Sequence, residues 1–143
     1  MKFENHMTLE FPSRSANESF ARSAVACFAA QMDPTFEELG DIRTAVSEAV
    51  TNCIVHAYPN GFGMITIRCR ILKDSTLDIV IKDKGVGIED LEKARKPMYT
   101  TGGSDRSGMG FTIMESFMSE FTVTSKPGKG TIIHMRRKLQ RRK

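Results

Sequence analysis

Tryptophan is absent from the 143 residues, tyrosine occurs twice and proline five times. With so few large flat side chains the chain offers no platform on which nucleic-acid bases could stack. Cysteine is scarce and odd in number. Cys27, Cys53 and Cys69 each fall among apolar neighbours, which argues against a disulfide framework and for reduced thiols used as small core residues. Long apolar runs are missing too: none approaches the roughly 18 residues of a membrane span. The opening MKFENHMTLEF lacks the charged-then-apolar plan of a secretory signal, so the expected compartment is the cytoplasm. Nor does the body of the chain carry excess charge of one sign. The formal net charge is +4, but six of the 21 cations, Arg136, Arg137, Lys138, Arg141, Arg142 and Lys143, fall in the last eight residues, leaving 15 cations against 17 acids elsewhere. That pattern predicts a solvated basic tail over 136–143, with neither nucleic acid nor membrane as a direct partner.

What remains is 40% hydrophobic and 27% charged, the composition of a single globular domain over 1–143 with one substantial core. MTLEF alternates before Pro12 and predicts a first strand, whose exposed edge is a candidate dimer contact. SANESFARSAVACFAAQM predicts a helix over about 16–32 with Ser15 as its cap and Glu18 three residues on. A second helix restarts after Asp33 and Pro34, taken as cap and first-turn residues, and stops before Pro59, with Gly40 a weak point. MITIRCRIL then alternates, sending Ile65, Ile67, Cys69 and Ile71 to one face, and STLDIVIKD pairs with it as a hairpin. A short helix around 89–95 and a mobile glycine-rich loop over 96–108 follow. MGFTIMESFMSEF restores helical spacing, and two strands around a PGKG turn close the chain. The order predicts an α+β two-layer sandwich, a mixed, mostly antiparallel sheet with helices on one face.

Three segments carry candidate chemistry. On a helical wheel Ile42, Ala45, Val46, Ala49, Val50, Cys53, Ile54 and Ala57 fill one arc, and Glu48, Asn52 and His56 line its border. A Glu and an Asn one turn apart suit activation of a hydroxyl and a hard cation such as Mg²⁺, whereas His56 is as well explained by packing or solvation. In DKGVGI, Asp83 ends an apolar strand. Gly85 and Gly87 there let the backbone pass close to a flat ligand, so the carboxylate can accept from an exocyclic amine. In RSGMGFTI, Gly108 and Gly110 open a helix whose bare N–H groups suit phosphate oxygens. Each segment alone is weak, and neither a dinucleotide fingerprint nor a P-loop is present.

Taken together and in this order, EAVTNCIVHA, DKGVGI and SGMGF resemble the N box and the two glycine boxes of the ATP-binding domain shared by gyrase, Hsp90-type chaperones, histidine kinases and MutL. The resemblance covers about residues 36–135. NESFAR, SEAVTN, ARKPMYTT and RSGMGFTIMESFM bring it closest to the small bacterial anti-sigma serine kinases, the anti-sigma F family of sporulation in particular. It implies a homodimer binding ATP or ADP with Mg²⁺, holding a sigma factor, and phosphorylating a serine on an anti-anti-sigma protein. Carried over by residue, Glu48 is the general base and Asn52 the Mg²⁺ and nucleotide ligand. Asp83, Gly85, Gly87 and Thr131 surround the adenine. Residues 96–107, including Thr101, form a lid, and Gly108, Met109 and Gly110 meet the phosphates. Arg22 and Arg106 face partners, Arg106 also lying near the terminal phosphate.

Three other readings share these features. A histidine-kinase catalytic domain needs an upstream phosphoacceptor helix, for which the residues before 36 are too few; His6 falls in or beside the first strand. A general-stress anti-sigma kinase has the same chemistry and a different sigma factor. A nucleotide-gated sequestering switch would need no Glu48.

Overall fold

The computed structural model describes residues 3–88 and 110–140. The alternating segments form β1 (Phe3–Pro12), β2 (Met64–Leu72), β3 (Thr76–Asp83), β4 (Glu120–Lys126) and β5 (Gly130–Lys138). The helical segments form α1 (Asn17–Ala29) with a 3-10 turn at Ala30–Met32, and α2 (Phe36–Asn52) continued by a π turn at Cys53–Ala57. The third, α3, spans Gly110–Phe117. The sheet order is β1-β2-β3-β5-β4, and β1 and β4 are its edges. All four pairings are antiparallel, so the described sheet is purely antiparallel where a mixed one was expected. The α+β sandwich itself is as expected. The helix expected at 89–95, the loop at 96–108, and Thr101, Arg106, Gly108 and Met109 lie outside the described residues. Among the described residues no helix is long and apolar enough to cross a membrane.

Strand alternation sorts the sheet into rows. On the helix-covered face, one row reads Met7, Cys69, Ile79, Met135, Phe121 across the five strands, and the next reads Leu9, Ile67, Ile81, Ile133, Val123. Ile42, Ala45, Val46, Ala49 and Val50 of α2, with Val25 of α1 and Met114 of α3, pack over them as one core. The third row, Phe11, Ile65, Asp83, Thr131, Ser125, turns polar halfway across. Nothing in the apolar rows calls for polar groups there, and that end of the sheet is where the site lies. Cys53 and Cys69 are core residues as expected, but Cys27 is exposed on the outer side of α1.

Helix ends depart from the expected residues. Thr35, not Asp33, caps α2: its side chain accepts from Glu38 N–H at 3.0 Å, and Glu38 Oε1 accepts from Thr35 N–H at 2.8 Å, a reciprocal capping box. Asp33 instead takes a left-handed conformation (φ 52°) that turns the chain between helices. Ala16, with no side-chain cap, precedes α1 in place of Ser15. Gly40 leaves α2 unbroken.

The basic carboxyl-terminal run is not a free tail from residue 136. β5 continues through Lys138, Arg137 Nη1 reaches Asp41 Oδ2 and the Phe117 carbonyl at 2.7 and 2.6 Å, and Leu139 is buried. Gln140 N–H donates to Glu38 Oε2 at 2.8 Å, so Glu38 closes the capping box and the end of β5 together. Burial works to raise the Glu38 pKa, and hydrogen bonds from Thr35 and Gln140 outweigh it and hold it below the ordinary value.

On the opposite face, Asp78 is wholly buried under Arg70, His134 and Arg136, which approach its carboxylate at 3.0, 2.6 and 2.7 Å. Burial pushes its pKa up, but the bonds from His134, Arg136 and Arg70 prevail and hold it below 3.8. A carboxylate depressed in the folded state stabilises the fold above its ordinary pKa and ceases to do so as pH falls through the folded value. Asp78→Asn is expected to cost about 2 to 3 kcal/mol by urea unfolding at neutral pH, because it strips the charges of their partner. The gap from wild type should persist down to about pH 4 and close below it. Leu139→Ala should cost about 2 to 4 kcal/mol in the same measurement, the loss expected of a buried leucine; a solvated tail would show no change.

Candidate functional site

Glu48 and Asn52 sit in the last turns of α2, half-buried at the border of its core-facing arc. Directly opposite is the first residue of α3: a methyl added to Gly110 would lie 3.3 Å from Glu48 Oε1 and 3.6 Å from Asn52 Nδ2. Two segments almost sixty residues apart thus meet with only a glycine hydrogen between them. Gly110 is the first described residue of α3, and its Cα is turned toward the acid and the amide.

After Asn52 the helix widens into the π turn, a form common at functional sites. His56 lies within it and is half-buried.

The turn after β3 docks against this widened end. Val86 N–H donates to the Ala57 carbonyl at 2.8 Å, and a Cβ at residue 85 would collide with that same carbonyl, so only glycine fits. Gly87 has φ 76°, and its Cα faces the Lys126 carbonyl. Tyr58 Oη accepts from Lys84 N–H at 2.8 Å and donates to the Met64 carbonyl at 2.7 Å, which binds the same turn to the start of β2.

Asp83 is buried at the head of this turn, and its Oδ1 accepts from Gly85 N–H at 2.9 Å. Burial, and then the adjoining Asp83 carboxylate that hydrogen-bonds to it, push the Cys53 thiol well above its ordinary value. Cys53 therefore stays a thiol beside the Asp83 carboxylate. Thr131 is Asp83's neighbour across the ladder, also buried, and its Oγ1 is 2.8 Å from Ser125 Oγ. The described residues hold no cluster of three or more His, Cys, Asp and Glu side chains fit to cage a metal. Asn52 offers a neutral amide oxygen beside the Glu48 carboxylate, a donor of the kind a hard cation completed by substrate phosphates can use.

The structure thus brings Glu48, Asn52 and Gly110 together, and gathers Asp83, Gly85, Gly87 and Thr131 at the adjoining end of the sheet. Arg22 is not part of this group. It lies on α1, with Nε 3.6 Å from Glu18 Oε2 and Nη2 3.4 Å from Ser19 Oγ. Cys53, Tyr58 and Ser125 escaped the sequence reading. Ser125 was within reach of it, since FTVTSK alternates and places a lone polar residue at the end of the face that holds Phe121 and Val123; Tyr58 left no such signal.

Residues 11–137 match the family described as histidine kinase-like ATPase domain. The anti-sigma F factor of Caldanaerobacter subterraneus subsp. tengcongensis is 59% identical over 136 residues, 94% of each chain. That of Clostridium acetobutylicum is 54% identical over the same shares. Among solved structures, the RsbU and RsbW domains of a Mycobacterium tuberculosis protein superpose with a TM-score of 0.72 at 18% identity. This chain is covered to 97% and spans 34% of that one. The mycobacterial sensor histidine kinase MprB gives a TM-score of 0.57 at 15% identity, covering 92% and 96%. At such identities the structures speak for the fold alone. The family model covers most of the chain and the curated relatives match nearly end to end, so the chain belongs to the anti-sigma F factor family of histidine kinase-like ATPase domains.

Proposed function

We propose that the protein is a Mg²⁺- and ATP-dependent serine kinase that sequesters a sporulation sigma factor and inactivates its anti-anti-sigma antagonist by phosphorylation. It would act as a cytoplasmic homodimer. The observation that carries the reading is the contact of Gly110 with Glu48 and Asn52, since it sets a phosphate-seeking helix end against a base and a cation ligand.

In this reading Asp83 and Thr131 hold the adenine by its amine, and the close-packed turn at Gly85 and Gly87 leaves room for the flat ring. Asn52 supplies a neutral oxygen to the cation. Mg²⁺, when bound, neutralises charge on the phosphate oxygens. Glu48 takes the proton of the substrate serine hydroxyl as that oxygen bonds to the γ-phosphorus and the bond to the β–γ bridging oxygen breaks, releasing ADP. Most of the rate gain in such transfers comes from positioning and charge neutralisation, with the base contributing less. Arg22 on α1 and Arg106 are assigned to partner contact, and Thr101, Gly108 and Met109 to the nucleotide. Identity of 50% or more to anti-sigma F factors supports this sigma class over the general-stress one. Glu48 beside the cation ligand supports a kinase over a switch that only holds nucleotide.

Asn52→Ala is expected to abolish Mg²⁺-ATP binding in isothermal titration. Glu48→Ala should bind nucleotide within a few-fold of wild type and lose transfer to the antagonist by about 100-fold or more in a labelled-phosphate assay. Undiminished transfer by the Glu48 variant would remove it from the mechanism.

A further inference from the structure

Ser125 Oγ has three oxygen or nitrogen neighbours at hydrogen-bonding distance. Ile88 N–H donates to it at 2.8 Å, the Gly130 carbonyl lies at 3.0 Å, and Thr131 Oγ1 lies at 2.8 Å. A hydroxyl carries one proton and two lone pairs. The Gly130 carbonyl can only accept, so the Ser125 proton goes there. The reverse assignment would leave two oxygens facing each other at 3.0 Å with no proton between them. One Ser125 lone pair takes Ile88 N–H, and the other takes the Thr131 proton. Every hydrogen-bonding position on Ser125 is then filled, and Thr131, having spent its only proton, turns nothing but lone pairs toward Asp83's side of the pocket.

Asp83 is matched to this. Its carboxylate accepts, already receiving Gly85 N–H, and has lone pairs left over. We propose that Ser125 is a positioning residue that fixes the Thr131 hydroxyl as an acceptor. The base-reading end of the pocket then presents acceptors only, and discriminates a 6-amino purine from a 6-oxo one. The inference rests on the nucleotide-binding reading above and deepens it. A purine bearing an amine meets two acceptors. One bearing a carbonyl at that position sets oxygen against oxygen beside two buried side chains, and leaves polar groups unpaired. Ser125 never touches the base; it acts through the direction of one proton, held by backbone partners at Ile88 and Gly130 on either side.

The test is competition titration of ATP against inosine triphosphate, both with Mg²⁺, on the full chain. Wild type, Ser125→Ala and Ser125→Thr are compared, with thermal unfolding measured in the absence of nucleotide. In Ser125→Ala the Thr131 hydroxyl is free to rotate and donate, and the preference for ATP is expected to fall about tenfold, through weaker ATP and firmer inosine triphosphate binding. Ser125→Thr restores the hydroxyl on an edge strand that tolerates β-branching, and should keep the wild-type preference. If Ser125→Ala does not fold, Ser125→Cys, with a weaker hydrogen-bonding group, replaces it with the same expectation. An unchanged preference in the hydroxyl-less variant, or an equal loss for both nucleotides, overturns the role of Ser125 alone. A wild-type chain that binds neither nucleotide overturns the nucleotide-binding reading and this inference with it.

Discussion

One hydrogen bond, from Val86 N–H to the Ala57 carbonyl, joins the two halves of the site. On one side of it is the helix that carries Glu48 and Asn52; on the other is the turn that carries Asp83. The bond forms because the π turn aims the Ala57 carbonyl at the turn and because residue 85 has no Cβ to block the approach. An alanine at 85 would have to displace backbone, not the flexible end of a side chain, so the constraint cannot be relaxed locally. Tyr58 and the Gly128 N–H, which reaches the Val86 carbonyl at 2.7 Å, hold the same turn from two further directions.

The two faces of the sheet solve different problems. The covered face is apolar for two rows and becomes polar in the third, so the pocket end is made by the same strands that make the core. No separate loop scaffold is needed for Asp83, Thr131 and Ser125, and their spacing is set by strand register. The other face carries a buried carboxylate ringed by two guanidinium groups and an imidazole. The carboxylate is desolvated but fully paired, the condition under which a buried charge is tolerated.

Much of this was legible in the residues. The alternation of MITIRCRIL and STLDIVIKD gives two strands and their inner faces, and the wheel over α2 gives the buried arc and its polar border. Glu48 and Asn52 stand out because nothing about a core helix asks for them. Cap residues were harder: Ser15 with Glu18 has the same capping-box spacing as Thr35 with Glu38, yet only the second forms, while Asp33, three residues before Phe36, lacks the partner acid. The basic run at the end misled for a related reason. Charge predicts solvation, yet Arg136 and Arg137 have buried or half-buried acids from β3 and α2 within reach, partners far away in sequence. Cys53 reads as a small apolar residue from its neighbours. Its place beside Asp83 depends on β3 ending near the π turn, which no local pattern records.

The polar row has a further consequence for how the protein comes into being. Its members are drawn from β3, β5 and β4, so Asp83 emerges from the ribosome long before Thr131, the neighbour that completes its surroundings. A chain growing from its amino terminus can assemble the first hairpin and the long helix early. It cannot present a finished pocket until nearly the whole polypeptide has been made and the edge strand has found its register. The third row is therefore completed only in the finished chain, because Thr131 and Ser125 come from the last two strands.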